Sequence, residues 1–246
     1  DYDASRHFFL SEYFRSHYEG ALRTLPYVRS AVQITRIELW VTNRRGQFDD
    51  ARNVLAFTDL GEPEVLHNGH ISLSSPRLPV PANPANSLYQ SLTLRPELRQ
   101  IEGVTTALSP DYTASTDYER IESARRLEPS EYTLHPTLGY VSLTAALAPD
   151  EVLAVAYEFT YQGQVYRVGE FASDRPDSST ETLFAKLLKG SNLVPTSPYW
   201  PLMMRNVYSL GSGVRDVQQA DFRLDVYYRD DATGIALPYL PEGSLR

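Results

Sequence analysis

The chain has 246 residues, with 31 acidic against 23 basic side chains, a formal net charge of −8 and a pI near 5.2. Polyanion binding needs a surplus of Lys and Arg on one face, and the basic doublets Arg44-Arg45 and Arg125-Arg126 stand beside Asp49, Asp50, Glu119, Glu122 and Glu128, which argues against a general nucleic-acid binder. A composition of 42% hydrophobic and 22% charged residues is that of a globular protein, and the absence of Cys removes disulfides, thiolate zinc sites, iron–sulfur clusters and cysteine nucleophiles together.

The opening Asp-Tyr-Asp carries neither an initiator Met nor the apolar core of a signal peptide, which predicts one soluble domain, 1–246, cut from a larger protein. From Ser5 to Leu25, Leu10, Phe14, Tyr18, Leu22 and Leu25 recur at helical spacing, and Pro26 stops the ladder. From Val32 to Thr42 the period becomes two, with Thr35, Ile37, Leu39 and Val41 on one face of a strand, and Asn53 to Thr58 reads as a second. Five prolines between Gly61 and Asn86 predict an ordered or partly ordered loop, the best internal boundary, with 1–60 and 87–246 as sub-lobes around it. Helices are predicted over Ser87–Leu94 and Pro96–Ala107, and over Thr116–Leu127, where Thr-Asp-Tyr-Glu forms a capping box.

Short strands are predicted over Tyr132–Leu134 and Tyr140–Leu143. Leu153, Val155, Tyr157, Phe159 and Tyr161 then alternate along a strand that Gln162-Gly163 turns back into Gln164–Phe171. Thr182 to Leu188 leaves helix and strand both open. A helix over Trp200–Tyr208 and a closing strand over Asp221–Tyr228 complete the reading. The class is α+β, mainly antiparallel β-sheet of sandwich-like form with several peripheral helices.

Chemistry is sparse. His67-Asn68-Gly69-His70 reads as a polar turn, because Asn-Gly forces one and no third metal ligand is placed by sequence. His7, His17 and His135 are scattered. A G-x-S-x-G elbow and the phosphate-loop signatures are absent, and Gly211-Ser212-Gly213 reads as a turn. The carboxylate pairs Asp49/Asp50, Glu62/Glu64, Asp117/Glu119 and Asp230/Asp231 read as solvated charge. Of the many aromatic residues, Tyr157, Phe159, Tyr161, Phe222 and Tyr228 fall on apolar strand faces and are assigned to core. The cluster Tyr199, Trp200, Met203 and Met204, after a proline turn, is the candidate binding surface, with core packing as its ordinary alternative. No catalytic residue, metal or cofactor is assigned.

Several stretches resemble the SprA/Sov family, the very large outer-membrane translocon of the type IX secretion system. They are Arg6-His7-Phe8-Phe9-Leu10 with Tyr13-Phe14-Arg15; Gln33 to Asn43; Leu138-Gly139-Tyr140-Val141-Ser142-Leu143; Asp150 to Tyr157; Val168-Gly169-Glu170-Phe171; Met203 to Leu210; and Asp221 to Tyr228, in order over nearly the whole chain. The resemblance implies a non-enzymatic structural, gating or docking domain inserted in a giant β-barrel protein of the cell outer membrane, exposed to periplasm or cell surface. Implied partners are the parent barrel, outer-membrane secretion components and secreted cargo, in protein export and gliding motility. The chain shows no run of lipid-facing strands flanked by aromatic girdles, so it is expected to be an insert, not barrel wall. A carbohydrate-binding module is the alternative, and a glycan hydrolase using two carboxylates ranks third.

Overall fold

The computed structural model describes residues 2–44, 46, 48, 50–176, 180–211, 214, 217, 218, 220, 222, 223, 225 and 227–239. Tyr2–Val207 form one compact unit, and the chain from Tyr208 onward belongs to a second. The division between the units falls at Val207/Tyr208, and residues 61–86 lie within the first unit. The Pro-rich stretch is packed into the first unit because its backbone is tied down: the Asn86 amide donates to the carbonyls of Asp59 (2.8 Å) and Glu62 (3.0 Å), and the Asp59 carboxylate accepts the N–H groups of His67 and Asn68. His67 to His70 form the expected turn, with the Asn68 side chain accepting the His70 N–H.

The chain enters through strand β1 (His7–Phe9) and helix α1 (Glu12–Leu22), then runs β2 (Val32–Val41) and β3 (Arg52–Phe57). Helices α2 (Leu88–Thr93) and α3 (Val104–Leu108) flank two short 3-10 turns, and β4 (Tyr118–Arg126), β5 (Tyr132–His135) and β6 (Tyr140–Leu143) follow. Strands β7 (Leu153–Tyr161), β8 (Gln164–Val168) and β9 (Leu183–Lys189) complete the first unit. The class is α+β with sheet dominant, as the sequence predicts.

Two sheets organise this unit: a six-stranded one in the order β2-β4-β3-β9-β7-β8 and a three-stranded one in the order β1-β6-β5. In the larger, β2 pairs with β7 along its length and with β4 at Trp40 and Val41, so the sheet curls until it meets itself and opposes its own inner faces. The β3–β9 pair is parallel and the others are antiparallel. Leu39, Trp40, Val54, Phe57, Tyr157, Phe159, Phe184 and Leu187 fill the core. All seven residues of β9 are buried, and a strand covered on both faces loses its two-residue alternation, which is why 182–188 did not declare its type.

Three predicted helices are corrected. Residues 7–9 leave the first one to pair with β6 (Phe8 opposite Val141), and the helix starts only after Ser11, its first N–H donated by Glu12 to Glu62 Oε1 at 3.1 Å. The capping box at Thr116 opens a strand. A bulge near Ser123, which sits at φ 49, turns Ile121 and Ala124 to the same buried side and so imitates helical spacing. Residues 200–208 make one 3-10 turn (Trp200–Leu202) and then run extended, because Met203 bridges Phe8 and the Met204 N–H is donated to the His7 carbonyl at 2.9 Å. The segment 96–107 is helical in broken pieces, with 3-10 turns at Pro96–Arg99 and Ile101–Gly103 before α3.

In the second unit, β10 (Tyr228–Arg229) pairs with β11 (Ala236–Leu237). Asp221, Leu224 and Val226 of the predicted closing strand, and Ser212 and Gly213 of the predicted turn, lie outside the described residues.

Among the described glycines, Gly139 leaves the least room for a side chain. It sits at φ 64, and a Cβ there would stand 2.0 Å from the Phe14 ring. Gly139→Ala is expected to cost roughly 2–3 kcal/mol, from overpacking plus the left-handed backbone. A urea titration checks this, and an unchanged midpoint would show that α1 can retreat freely from the β5–β6 turn.

Candidate functional site

The four residues of the candidate surface separate by exposure. Tyr199 is fully buried, its hydroxyl 3.0 Å from the carbonyl oxygens of both Ser115 and Asn192, and it is thereby removed from any exposed docking face. Its ring holds the loop after β9 against the start of β4. Met203 is buried at 7% exposure beneath Phe8, while Trp200 and Met204 are half-buried, and the Arg205 guanidinium lies 5.5 Å above the Trp200 ring. Met203 and Met204 join Phe9, Tyr18, Arg15 and Arg205 around a groove of about 570 Å³ between α1 and the extended 203–207 segment. The structure thus brings the two Met together with α1, and leaves Trp200 outside the groove lining.

On the alternating strand Tyr157 and Phe159 are fully buried and offer no face to a sugar, while Tyr161 is half-buried. The buried charges have structural partners. Lys189 Nζ lies 2.8 Å from the Pro149 carbonyl and 2.5 Å from that of Glu151, and burial pushes it down to about 8. Among the described residues, no group of three or more His, Asp or Glu is placed to hold a metal ion, and no helix is long and apolar enough to cross a membrane.

A polar constellation the sequence reading passed over lies on one face of the small sheet. His7 on β1 stands opposite Ser142 on β6, and His135 on β5 reaches the same hydroxyl diagonally. His7 Nδ1 is 2.8 Å from Ser142 Oγ, His7 Nε2 is 3.0 Å from Asp3 Oδ2, and His135 Nε2 is 3.4 Å from Ser142 Oγ. Arg6 Nε holds the other Asp3 oxygen at 3.1 Å. With both imidazoles neutral the network runs in one direction. His7 Nε2–H donates to Asp3, so His7 Nδ1 accepts the Ser142 proton and Ser142 Oγ accepts from His135 Nε2–H. The His135 ring is clamped face to face with Tyr140, 4.0 Å between centroids and 14° between planes. These residues are up to 139 apart in sequence, and only a strand at His7–Phe9 paired with β6 could have joined them.

Burial lowers the pKa of His135, and the neighbouring His7 lowers it further. The folded state therefore takes up this proton at lower pH than the unfolded chain does. The stability contribution is complete above the ordinary value of 6.5 and is lost as pH falls through the lower folded value. Urea midpoints are expected to drop between pH 7.5 and pH 5.5, and to drop less in His135→Gln. Equal drops in the two proteins would remove His135 as the cause.

Neither family models nor curated proteins compared with the chain give a match.

Proposed function

We propose that the chain is a structural, gating or docking domain of an outer-membrane translocon of the SprA/Sov kind, serving protein export and gliding motility through the contacts it makes. The observation that carries this reading is the ordered series of family-like stretches. It gains support from where they fall in the fold. Gln33–Asn43 supplies β2 and Asp150–Tyr157 supplies most of β7, and these two strands pair, Leu39 opposite Val155. Arg6–Leu10 contains β1 and Leu138–Leu143 contains β6, which pair in turn, and the stretch beginning at Met203 bridges Phe8. Stretches that pair with one another are what a shared fold preserves, whatever the loops between them become. The groove beside Met203 and Met204 is the surface this reading assigns to a partner: soft, adaptable side chains, flanked by Arg15 and Arg205.

The test is site-specific photo-crosslinking in the full-length parent in intact cells, with the reactive group at Trp200 and at Met204, and with Tyr27 and Leu94, 78% and 74% exposed, as controls. Adducts from Trp200 and Met204 to secreted cargo, to other parts of the parent barrel or to outer-membrane secretion components are expected. Adducts from the controls alone would overturn the docking surface.

A further inference from the structure

We propose that Ser142 is an activated nucleophile, reactive toward small acyl esters and phosphonyl donors, with His7 as its general base and His135 as hydrogen-bond donor to the developing oxyanion. The inference stands apart from the translocon reading, since it rests on three side chains of the small sheet with Asp3 beside them, and on no family likeness.

A serine hydroxyl is a weak nucleophile until a base takes its proton as it attacks, and the base must be held in the right tautomer. His7 Nδ1 lies 2.8 Å from Ser142 Oγ, and Asp3, at 3.0 Å, fixes the proton on the opposite nitrogen. Asp3 is a positioning residue, itself oriented by Arg6 at 3.1 Å. His135 Nε2, at 3.4 Å from Oγ, is long for a bond to the hydroxyl but suits an oxygen one bond further out, on the carbon or phosphorus that Oγ attacks. Stacking on Tyr140 holds that ring in place. Burial keeps the imidazole neutral near pH 7, the form that donates as an electrophile without surrendering its proton. Ser142, His7 and His135 are half-buried and the neighbouring Thr133 is exposed, so a small reagent reaches the face.

The step balances without any further reactant than water. Ser142 Oγ forms a bond to the carbonyl carbon, its proton passes to His7 Nδ1, and the carbonyl electron pair moves to oxygen facing His135. Collapse breaks the bond to the alcohol, which leaves with the proton from His7. Water then attacks the acyl-serine by the same route and releases the carboxylic acid. A fluorophosphonate stops at the first stage: fluoride leaves, and a phosphonyl group stays on Oγ.

The experiment treats the full chain with a fluorophosphonate probe, reads adducts by intact mass and peptide mapping, and follows p-nitrophenyl acetate cleavage in parallel. One adduct at Ser142 is expected, at a rate that rises with pH. Ser142→Ala is expected to abolish it and His7→Gln to slow it by about 100-fold or more. Asp3→Asn is expected to slow it and to shift the pH profile, a change that loss of packing alone would not produce. Labelling of Ser142 no faster than that of exposed Ser16, or a rate indifferent to pH across the histidine range, overturns the proposal. Should His7→Gln fail to fold, the wild-type pH profile decides.

Discussion

Lys186→Met is expected to destabilise the domain by roughly 3–5 kcal/mol, and Glu62→Leu by a similar amount, while the double variant loses far less than their sum. Lys186 and Glu62 are 1% exposed, and their Nζ and Oε1 lie 2.7 Å apart inside the curled sheet. Burial pushes the Glu62 carboxyl above its usual range, even though Lys186 and the Glu12 N–H pull it down. The pair is thus held where solvation is costly, and its stability comes from mutual compensation. Removing one partner strands the other; removing both leaves two apolar side chains of similar bulk. The double variant is not neutral, because Glu62 Oε1 also accepts the first N–H of α1, and Lys186 Nζ donates to the Thr58 carbonyl. Those losses set a residual cost of about 1–3 kcal/mol. Urea unfolding of the four proteins closes the cycle. Additive losses would show that the two groups do not act as a pair.

How far the sequence carried depended on whether partners were local. The β7–β8 hairpin was legible because alternation and turn chemistry agree: Gln162 and Gly163 both take positive φ, 49 and 77, as a tight hairpin turn demands. β2 was legible as a strand but not in its faces. A register shift between Ile34 and Arg36 breaks the alternation, and at its far end, where β2 pairs with both β4 and β7, Leu39, Trp40 and Val41 are buried in succession. At Thr116–Leu127 the capping box was a local signal overruled by pairing with β3, and at Trp200–Tyr208 helical propensity lost to the edge of β1. Of the candidate surface, the Met pair was found by composition, but the burial of Tyr199 depends on Ser115 and Asn192, which no local pattern connects to it. The Asp3–His7–Ser142–His135 set was hidden for the same reason: its members come from the first residues and from two later strands, and a helical reading of Ser5–Leu25 turned His7 away from them.

Arg99→Met is expected to cost roughly 3–5 kcal/mol and to flatten the acid limb of the stability curve. Arg99 holds the buried Glu170 through two parallel contacts, Nη1 to Oε2 at 2.6 Å and Nη2 to Oε1 at 2.8 Å, and donates to the Thr182 carbonyl at 2.8 Å. Its guanidinium lies 3.8 Å over the Phe184 ring, while Glu170 also accepts from the Tyr89 hydroxyl and the Phe184 N–H, each at 3.0 Å. These contacts pin α2 and the 3-10 turn at Pro96–Arg99 to β9. Burial would raise the Glu170 carboxyl, but the hydrogen bonds and charge of Arg99 outweigh it and leave the pKa below the usual 4.5, whereas burial and Glu170 together push Tyr89 up to about 12. A depressed carboxyl contributes stability that is complete above the unfolded value and is lost as pH falls through the folded one. Wild type should therefore lose stability on acidification below about pH 5, and Arg99→Met, already deprived of the pair, should lose less over the same interval. Arg99→Lys separates charge from geometry: an ammonium keeps the charge but gives up the fork and the stacking on Phe184, and should recover only part of the loss. Full recovery by lysine would mean that the planar fork contributes nothing here and that the helical layer is held to the sheet by charge alone.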